Sequence, residues 1–308
     1  MLLGHQKQWQ FLKKSFLLGR IPHALLFEGQ EKVGKKTLAI EFIKLINCQE
    51  NDFSLRPCQK CLSCQAIGRG VHPDFVFISP IDKEIQISQI RDLSLRLAEK
   101  PSLSPFKSAI LDEAHLMNQE AQSAFLKTLE EPKGNTILIL ITEYPERLFS
   151  TILSRVQKIK FFPVKKEEIE NFLREKGISE EKTKEILKTS LARPGLVIDF
   201  LSNPEKLKER EMIIKELNEI LHSDLANRFQ YVKNLSLKNN LGEILELWLN
   251  YFRDRLIQEI CRGSFSEKSN DSFFKLKNTL RQIQKINFLT STTNINRKLA
   301  LETLMLEI

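Results

Sequence analysis

ALLFEGQEKVGKKTLAI, residues 24–40, joins a short apolar run to a glycine-containing loop and then to the start of an amphipathic pattern. Loops that cradle phosphates have Gly, any four residues, and then Gly-Lys followed by Ser or Thr. Gly29, Gly34 and Lys35 satisfy this pattern, but Lys36 stands where the hydroxyl belongs, and Thr37 follows one position later. Strand, loop and helix in this order are the context that the motif requires. The segment therefore predicts an α/β fold with a modified phosphate loop.

Further apolar runs extend this prediction downstream of the loop. They are separated by helical patterns over residues 87–100 and 118–131, the second of which ends before Pro132. Apolar strands that alternate with helices indicate a parallel sheet covered on both faces. The additional strands are predicted at residues 74–79, 108–114, 135–142 and 157–162.

The character of the chain changes after Pro163, where strand-like runs end and only helical patterns follow. A chain of 308 residues is long enough for two or three domains. We therefore predict an α/β domain over residues 1–163, a small helical domain over 164–204 and a helical bundle over 205–308.

Composition narrows the class of protein. Apolar residues make up 42% and charged residues 28% of the chain, as in ordinary globular proteins. The net charge of +8 permits a nucleic-acid partner but is equally compatible with a plain basic surface. The sequence has no apolar run of membrane-spanning length, and its N-terminus lacks the features of a signal peptide. We expect a cytoplasmic protein with no membrane partner.

The modified loop and a downstream acidic pair suggest a degenerate nucleotide site. Lys35 has the position from which a lysine reaches phosphates, but Lys36 is a donor-only cation and cannot replace the hydroxyl that binds Mg²⁺. Thr37 is about 100° further round the helix and should point elsewhere. Asp112 and Glu113 follow an apolar strand, where carboxylates can hold Mg²⁺ and orient water. Binding of ATP with Mg²⁺ stays open; the alternative is a glycine turn without a ligand.

Four of the five cysteines fall close together. Cys48, Cys58, Cys61 and Cys64 supply four thiolates, the number that a structural zinc ion requires. Their clustering favours a metal site in a reducing compartment over disulfides. We predict a structural Zn²⁺ site; the alternative is four free thiols.

Together these features resemble the delta-prime subunits of the bacterial DNA polymerase III clamp loader, which are AAA+ proteins. Besides the glycine loop and the four cysteines, the matching stretches are GHQKQWQFLKKSFLLGRIPHALLFEG (4–29), HPDF (72–75), SAILDEAHLMNQEAQSAFLKTLEEP (108–132), TILSR (151–155) and NINRKLALETLMLEI (294–308). The resemblance is dense over residues 1–165 and thinner from there to about 290.

The resemblance implies an AAA+ parallel-sheet domain with a zinc module inserted at about residues 48–64, then a helical lid, and then a helical collar that holds a five-subunit ring. Such a ring opens the sliding clamp and places it on primed DNA. Its partners would be the tau/gamma and delta subunits, the clamp, and DNA threaded through the assembled ring. The chain would belong to the DNA polymerase III holoenzyme, a nucleotidyltransferase complex, without being its catalyst.

The same resemblance assigns a role to one arginine. In the family, a Ser-Arg-Cys motif points an arginine into the ATP site of a neighbouring subunit, and this carries over to Ser154 and Arg155, with Val156 in the third position. Leu196 stands near where AAA+ ATPases carry a lid arginine, and Arg193 lies close by. We expect this subunit to stimulate ATP hydrolysis in trans, as an arginine finger, with little or no hydrolysis of its own.

Three alternatives remain open at this stage. An active ATPase subunit of the tau/gamma type would be expected to keep the hydroxyl after Lys35. A helicase, suggested by the letters DEAH at residues 112–115, would need a second motor domain. A zinc-stabilised adaptor outside replication would fail to join the other clamp-loader subunits.

Overall fold

Five strands form one parallel sheet, as the sequence predicts. The structure, a computed structural model, describes residues 3–238, 240–261, 267–292 and 295–308. The strands are β1 (Ala24–Glu28), β2 (Phe75–Ile78), β3 (Lys107–Leu111), β4 (Thr136–Thr142) and β5 (Gln157–Lys160). They lie in the order β2-β3-β4-β1-β5, and every neighbouring pair is parallel. β3 and β4 are buried along their whole length, which explains the apolar runs at residues 109–111 and 137–141.

Helices cover both faces of this sheet. One hydrophobic cluster includes Leu93 and Phe125, and a second includes Leu12 and Phe42. The predicted layer arrangement is thereby confirmed, with the first cluster under the helices at residues 87–98 and 119–130 and the second under the helices at residues 6–17 and 35–47. The helices of this region are α1 (Gln6–Leu17), α2 (Lys35–Asn47), α3 (Leu62–Arg69), α4 (Ile87–Ala98), α5 (Gln119–Glu130) and α6 (Ser150–Leu153).

After Lys160, the described residues contain helices and no strand. None of the described helices combines the length and the apolar character needed to cross a bilayer. The helices are α7 (Lys166–Glu175), α8 (Glu180–Thr189), α9 (Pro194–Ser202), α10 (Pro204–Leu221), α11 (Leu225–Leu235), α12 (Leu241–Cys261), α13 (Glu267–Thr292) and α14 (Arg297–Glu307).

The chain divides into two compact units. The first comprises Met1–Thr183 with Ala192–Ile198, and the second comprises Lys184–Leu191 with Asp199–Ile308. The second unit has its own core, in which Trp248 and residues of α14 such as Leu304 are fully buried. The division of the chain into base, lid and collar stays a prediction.

Candidate functional site

Two glycines shape the loop between β1 and α2. Gly29 has a φ of 150°, and a Cβ there would lie 2.3 Å from the carbonyl oxygen of Phe161. Gly34 has a φ of 106° and ends the loop directly before α2 begins at Lys35. Both conformations favour glycine. The first N–H groups of α2 therefore adjoin the loop, the arrangement that cradles phosphate in proteins.

The lysine of the loop is buried and folded back on the loop itself. Lys35 is 7% exposed, and its Nζ donates to the carbonyl oxygen of Gly29 and, at 2.6 Å, to that of Gln30. Burial lowers the pKa of Lys35 to about 8. The negative charges of Glu143 and Asp112 act in the opposite direction and limit this fall. A phosphate at this loop would compete with these carbonyls for the ammonium group.

The acidic pair lies beside the loop, but a lysine contacts it. Lys36 Nζ lies 3.2 Å from Asp112 Oδ2 and 4.2 Å from the centre of the Phe77 ring. Desolvation, reinforced by the neighbouring Asp112, raises the pKa of Glu113. Thr37 is exposed on α2. The structure thus brings the loop and the acidic pair together, with an ammonium group on Asp112.

The start of α9 and the residue before it also reach the loop. Arg193 is 2% exposed, and its Nη1 donates to the carbonyl oxygen of Glu31 over 3.4 Å. The N–H of Gly195 donates to the carbonyl oxygen of Lys32 at 2.7 Å. Leu196 is buried and offers no charge. Arg193 therefore adds a third cation near Lys35 and Lys36.

The four predicted thiols converge on one point. All four Sγ atoms, of Cys48, Cys58, Cys61 and Cys64, lie within 4.8 Å of one another. A tetrahedral Zn²⁺ with Zn–S bonds of about 2.3 Å needs S–S distances of about 3.8 Å, so the set fits the ion after small shifts. When bound, Zn²⁺ would act as a structural cross-link, since four thiolates leave no open position.

Backbone N–H groups support these sulfur atoms. The N–H of Cys58 donates to Cys48 Sγ at 3.4 Å, that of Cys61 to Cys58 Sγ at 3.3 Å, and that of Cys64 to Cys61 Sγ at 3.4 Å. N–H donors from Lys60 and Cys61 lower the pKa of Cys58 to about 6. These donors stabilise the Cys58 thiolate, the form that binds metal, whereas burial raises the pKa of the Cys48 and Cys64 thiols.

A polar contact set joins the cysteine segment to α2. Lys44 Nζ donates to Glu41 Oε1 at 2.8 Å and to Gln59 Oε1 at 2.9 Å. Gln59 Nε2 donates to Glu41 Oε2 at 2.5 Å. Ile67 of α3 is buried in the core beside α2. The cysteine segment is therefore fixed to the same helix that begins at the glycine loop.

HPDF (72–75) has a structural use in this fold. The His72 ring accepts from the N–H of Asp74 at 3.1 Å, and its other nitrogen lies 3.1 Å from Ser104 Oγ. Asp74 is 1% exposed and accepts from the N–H groups of residues 102–104 at 2.8–3.0 Å. Burial alone would raise the pKa of Asp74, but these donors outweigh it and hold the pKa below its usual value. The motif anchors the loop before β3.

Arg155 lies on the surface between α6 and β5. Its Nη2 is 2.9 Å from Glu130 Oε1, and its Nη1 donates to the carbonyl oxygen of Thr151 at 2.9 Å. Ser154 Oγ accepts from Nη1 at 3.2 Å. The arginine side chain is 38% exposed and that of Glu130 is 49% exposed. Sequence reasoning missed Glu130, whose only signal is its place at the end of α5.

Val156 faces the other way and is buried in the hydrophobic core. A small apolar residue at this position satisfies the core whether it is valine or cysteine. The departure from Ser-Arg-Cys therefore leaves the charged group at position 155 unaffected.

Comparisons with known proteins converge on one replication complex. A family model described as "DNA polymerase III, delta subunit" matches residues 4–165. DNA polymerase III subunit delta' of Bacillus subtilis is 30% identical over 251 residues, covering 82% of this chain and 71% of that protein. The corresponding subunit of Pseudomonas aeruginosa is 38% identical over 151 residues, covering 48% of this chain and 46% of that protein. DNA polymerase III subunit gamma of Buchnera aphidicola subsp. Schizaphis graminum is 30% identical over 312 residues, covering 96% of this chain and 85% of that protein.

Proposed function

This chain belongs to the delta-prime family of DNA polymerase III clamp-loader subunits, and from that premise we propose that it supplies Arg155 to the ATP site of a neighbouring subunit. In this proposal the chain acts within the ring that loads the sliding clamp on primed DNA. Its partners are the tau/gamma and delta subunits. Relatives named delta', gamma and tau support this set of partners.

The observation that carries the proposal is the exposed guanidinium of Arg155. It contacts a half-exposed carboxylate and a backbone carbonyl, and neither contact belongs to a buried core. An exposed pair of this kind is worth about 0–1 kcal/mol, so Glu130 can release the arginine cheaply. An arginine placed on a transferring phosphoryl group accelerates hydrolysis by roughly 10³–10⁵-fold. Because the pair with Glu130 is weak and the effect on a phosphoryl group is large, we expect Arg155 to leave Glu130 for a phosphate in the assembled ring.

The position of Lys36 supports the proposal that this chain does not hydrolyse ATP itself. ATP hydrolysis by loops of this type uses Mg²⁺, held by the loop hydroxyl and an acidic residue. Here the hydroxyl position is a lysine whose ammonium group lies on Asp112. We therefore assign the ATPase activity of the complex to its other subunits.

The test is ATP hydrolysis by the purified chain, alone and then mixed with tau/gamma and delta subunits. The proposal predicts no turnover alone and a stimulation on mixing that is lost with Arg155→Ala. Arg96→Ala is the matched control, because Arg96 is also an exposed arginine, paired with Asp92 at 3.0 Å. Equal stimulation by the wild-type chain and Arg155→Ala would overturn the proposal.

A second candidate function is an active ATPase subunit of the tau/gamma type. The coverage of 96% of this chain by a gamma relative favours it. Turnover by the isolated chain that disappears in Lys35→Ala would establish this candidate. Absence of turnover by the isolated chain would exclude it.

A further inference from the structure

Gln59 has a left-handed backbone conformation within the cysteine segment. Its φ is 61°, in a region that residues other than glycine adopt only at a cost in free energy. Gln59 lies between Cys58 and Cys61 in the sequence, and its backbone N–H donates to the sulfur of Cys64. A change in the backbone at residue 59 would therefore displace both thiols and N–H donors of the predicted zinc site.

The side chain of Gln59 is held at both ends of its amide group. Its Nε2 donates to Glu41 Oε2 at 2.5 Å, and its Oε1 accepts from Lys44 Nζ at 2.9 Å. Lys44 Nζ also donates to Glu41 Oε1 at 2.8 Å, so the three side chains form a closed set of contacts. The side chains of Glu41 and Lys44 are only 17% and 12% exposed, which strengthens contacts between charged groups.

Helix α2 connects this contact set to the thiols. Glu41, Lys44 and Cys48 are spaced at i, i+3 and i+7, the spacing of one helical face. Gly68 of α3 lies over the Lys44 side chain, since a Cβ at this glycine would be 3.4 Å from Lys44 Cε. Lys44 therefore packs between α3, which carries one of the thiols, and the turn that contains Gln59.

We propose that Glu41 and Lys44 are positioning residues for the zinc site, which act by holding Gln59 in its left-handed conformation. Groups outside the ligand shell that orient the ligands typically contribute about 10–100-fold to metal affinity. Neither residue belongs to the four-thiol set, so both act only through the turn at Gln59. The inference rests on the four-thiolate assignment and is independent of the role proposed for Arg155.

The experiment measures the Zn²⁺ affinity of the full chain by competition with a chromophoric chelator. Glu41→Ala removes the acceptor of the Gln59 amide and should lower the affinity by about tenfold or more. Glu302→Ala is the matched control, because Glu302 also pairs with a lysine of its own helix, Lys298, at 3.5 Å. The control variant should bind Zn²⁺ as tightly as the wild-type chain.

Substitutions at residue 59 separate the backbone conformation from the side-chain contact. Gln59→Ala keeps the backbone strain and loses the amide, so it should lower the Zn²⁺ affinity about as much as Glu41→Ala. Gln59→Gly should bind Zn²⁺ within about twofold of the wild-type chain, because glycine adopts the left-handed region without strain. The double variant Glu41→Ala with Gln59→Gly should bind Zn²⁺ like Gln59→Gly alone. Because Gln59 is exposed, its replacement should leave the rest of the fold intact.

Three results would overturn the inference. One is an unchanged Zn²⁺ affinity in Glu41→Ala, shown to be folded by circular dichroism. Another is a loss of affinity on Glu41→Ala that is equally large in the Gln59→Gly background, because Glu41 would then act by another route. The third is an equal affinity in Gln59→Ala and Gln59→Gly, a comparison that does not require Glu41→Ala to fold.

Discussion

Burial of the Lys35 ammonium group in the glycine loop lowers the free energy of unfolding by an amount that depends on pH. Its pKa falls from 10.5 to about 8 because burial disfavours the charged form. Between these two values the unfolded chain binds more protons than the folded chain, so this group makes folding more favourable as the pH rises through that window. Below pH 8 the lysine is charged in both states, and the fold bears the full cost.

The size of this effect follows from the shift in pKa. One unit corresponds to about 1.36 kcal/mol, so a fall from 10.5 to about 8 amounts to about 3 kcal/mol. Lys35→Met removes the titration and also removes the donor to Gly29 and Gln30, a loss that does not depend on pH. The informative quantity is therefore the change with pH in the stability difference between wild type and variant. This difference should shift by about 3 kcal/mol in favour of wild type between about pH 7 and pH 10.5.

Urea unfolding at several pH values measures this quantity. A Trp248→Phe background leaves Trp9, which packs against the core beside α2, as the tryptophan that reports on the sheet unit. Lys14→Met, at an exposed position on α1, controls for the removal of a lysine charge. A difference between wild type and Lys35→Met that stays constant across the pH range would refute the description of Lys35 as a buried, destabilised cation.

Three further predictions concern the other contacts. Cys64→Ser should release Zn²⁺ and lower the melting temperature of the sheet unit, measured by metal analysis and calorimetry; one zinc per chain in the variant would contradict the four-thiolate assignment. Asp74→Asn should lower the free energy of unfolding by about 3 kcal/mol near pH 7. The reason is that the N–H groups that bond to the Asp74 carboxylate bond more weakly to a neutral amide. Since the pKa of Asp74 is lowered by folding, this deficit should shrink as the pH falls below about 3.8, and a deficit unchanged at low pH would count against it. Glu130→Gln should raise stimulated ATP hydrolysis by up to about fivefold at limiting concentrations of this subunit. The reason is that the substitution frees Arg155 from a contact worth about 0–1 kcal/mol. Reduced stimulation would contradict this prediction and would indicate that Glu130 positions the arginine.

The parallel sheet could be predicted because its strands carry their own signal. β4 is apolar over residues 137–141 and β3 over residues 109–111, as is typical of strands buried on both faces. The loop glycines could likewise be recognised because only glycine adopts their backbone angles without strain. The convergence of the four thiols could be predicted because they lie close in sequence, the spacing that is typical of structural zinc sites.

The ion pairs of the site could not be predicted in the same way. Lys36 meets Asp112 only because the sheet brings the start of α2 near the end of β3, and sequence alone does not give the order of the strands. Glu130 meets Arg155 because α5 ends near α6. Nothing in the spacing of either pair along the chain indicates contact, so the state of both charged groups had to come from the fold.

The central claim, that Arg155 acts on a neighbour's ATP, is tested most directly by single-turnover hydrolysis in the assembled complex. ATP is bound first, and its cleavage is then followed with the wild-type chain, Arg155→Ala and Arg155→Lys. The account predicts slower cleavage in both variants with nucleotide affinity and complex assembly unchanged, because a lysine cannot reproduce the planar donor fork of arginine. An unchanged cleavage rate in Arg155→Ala would contradict the account.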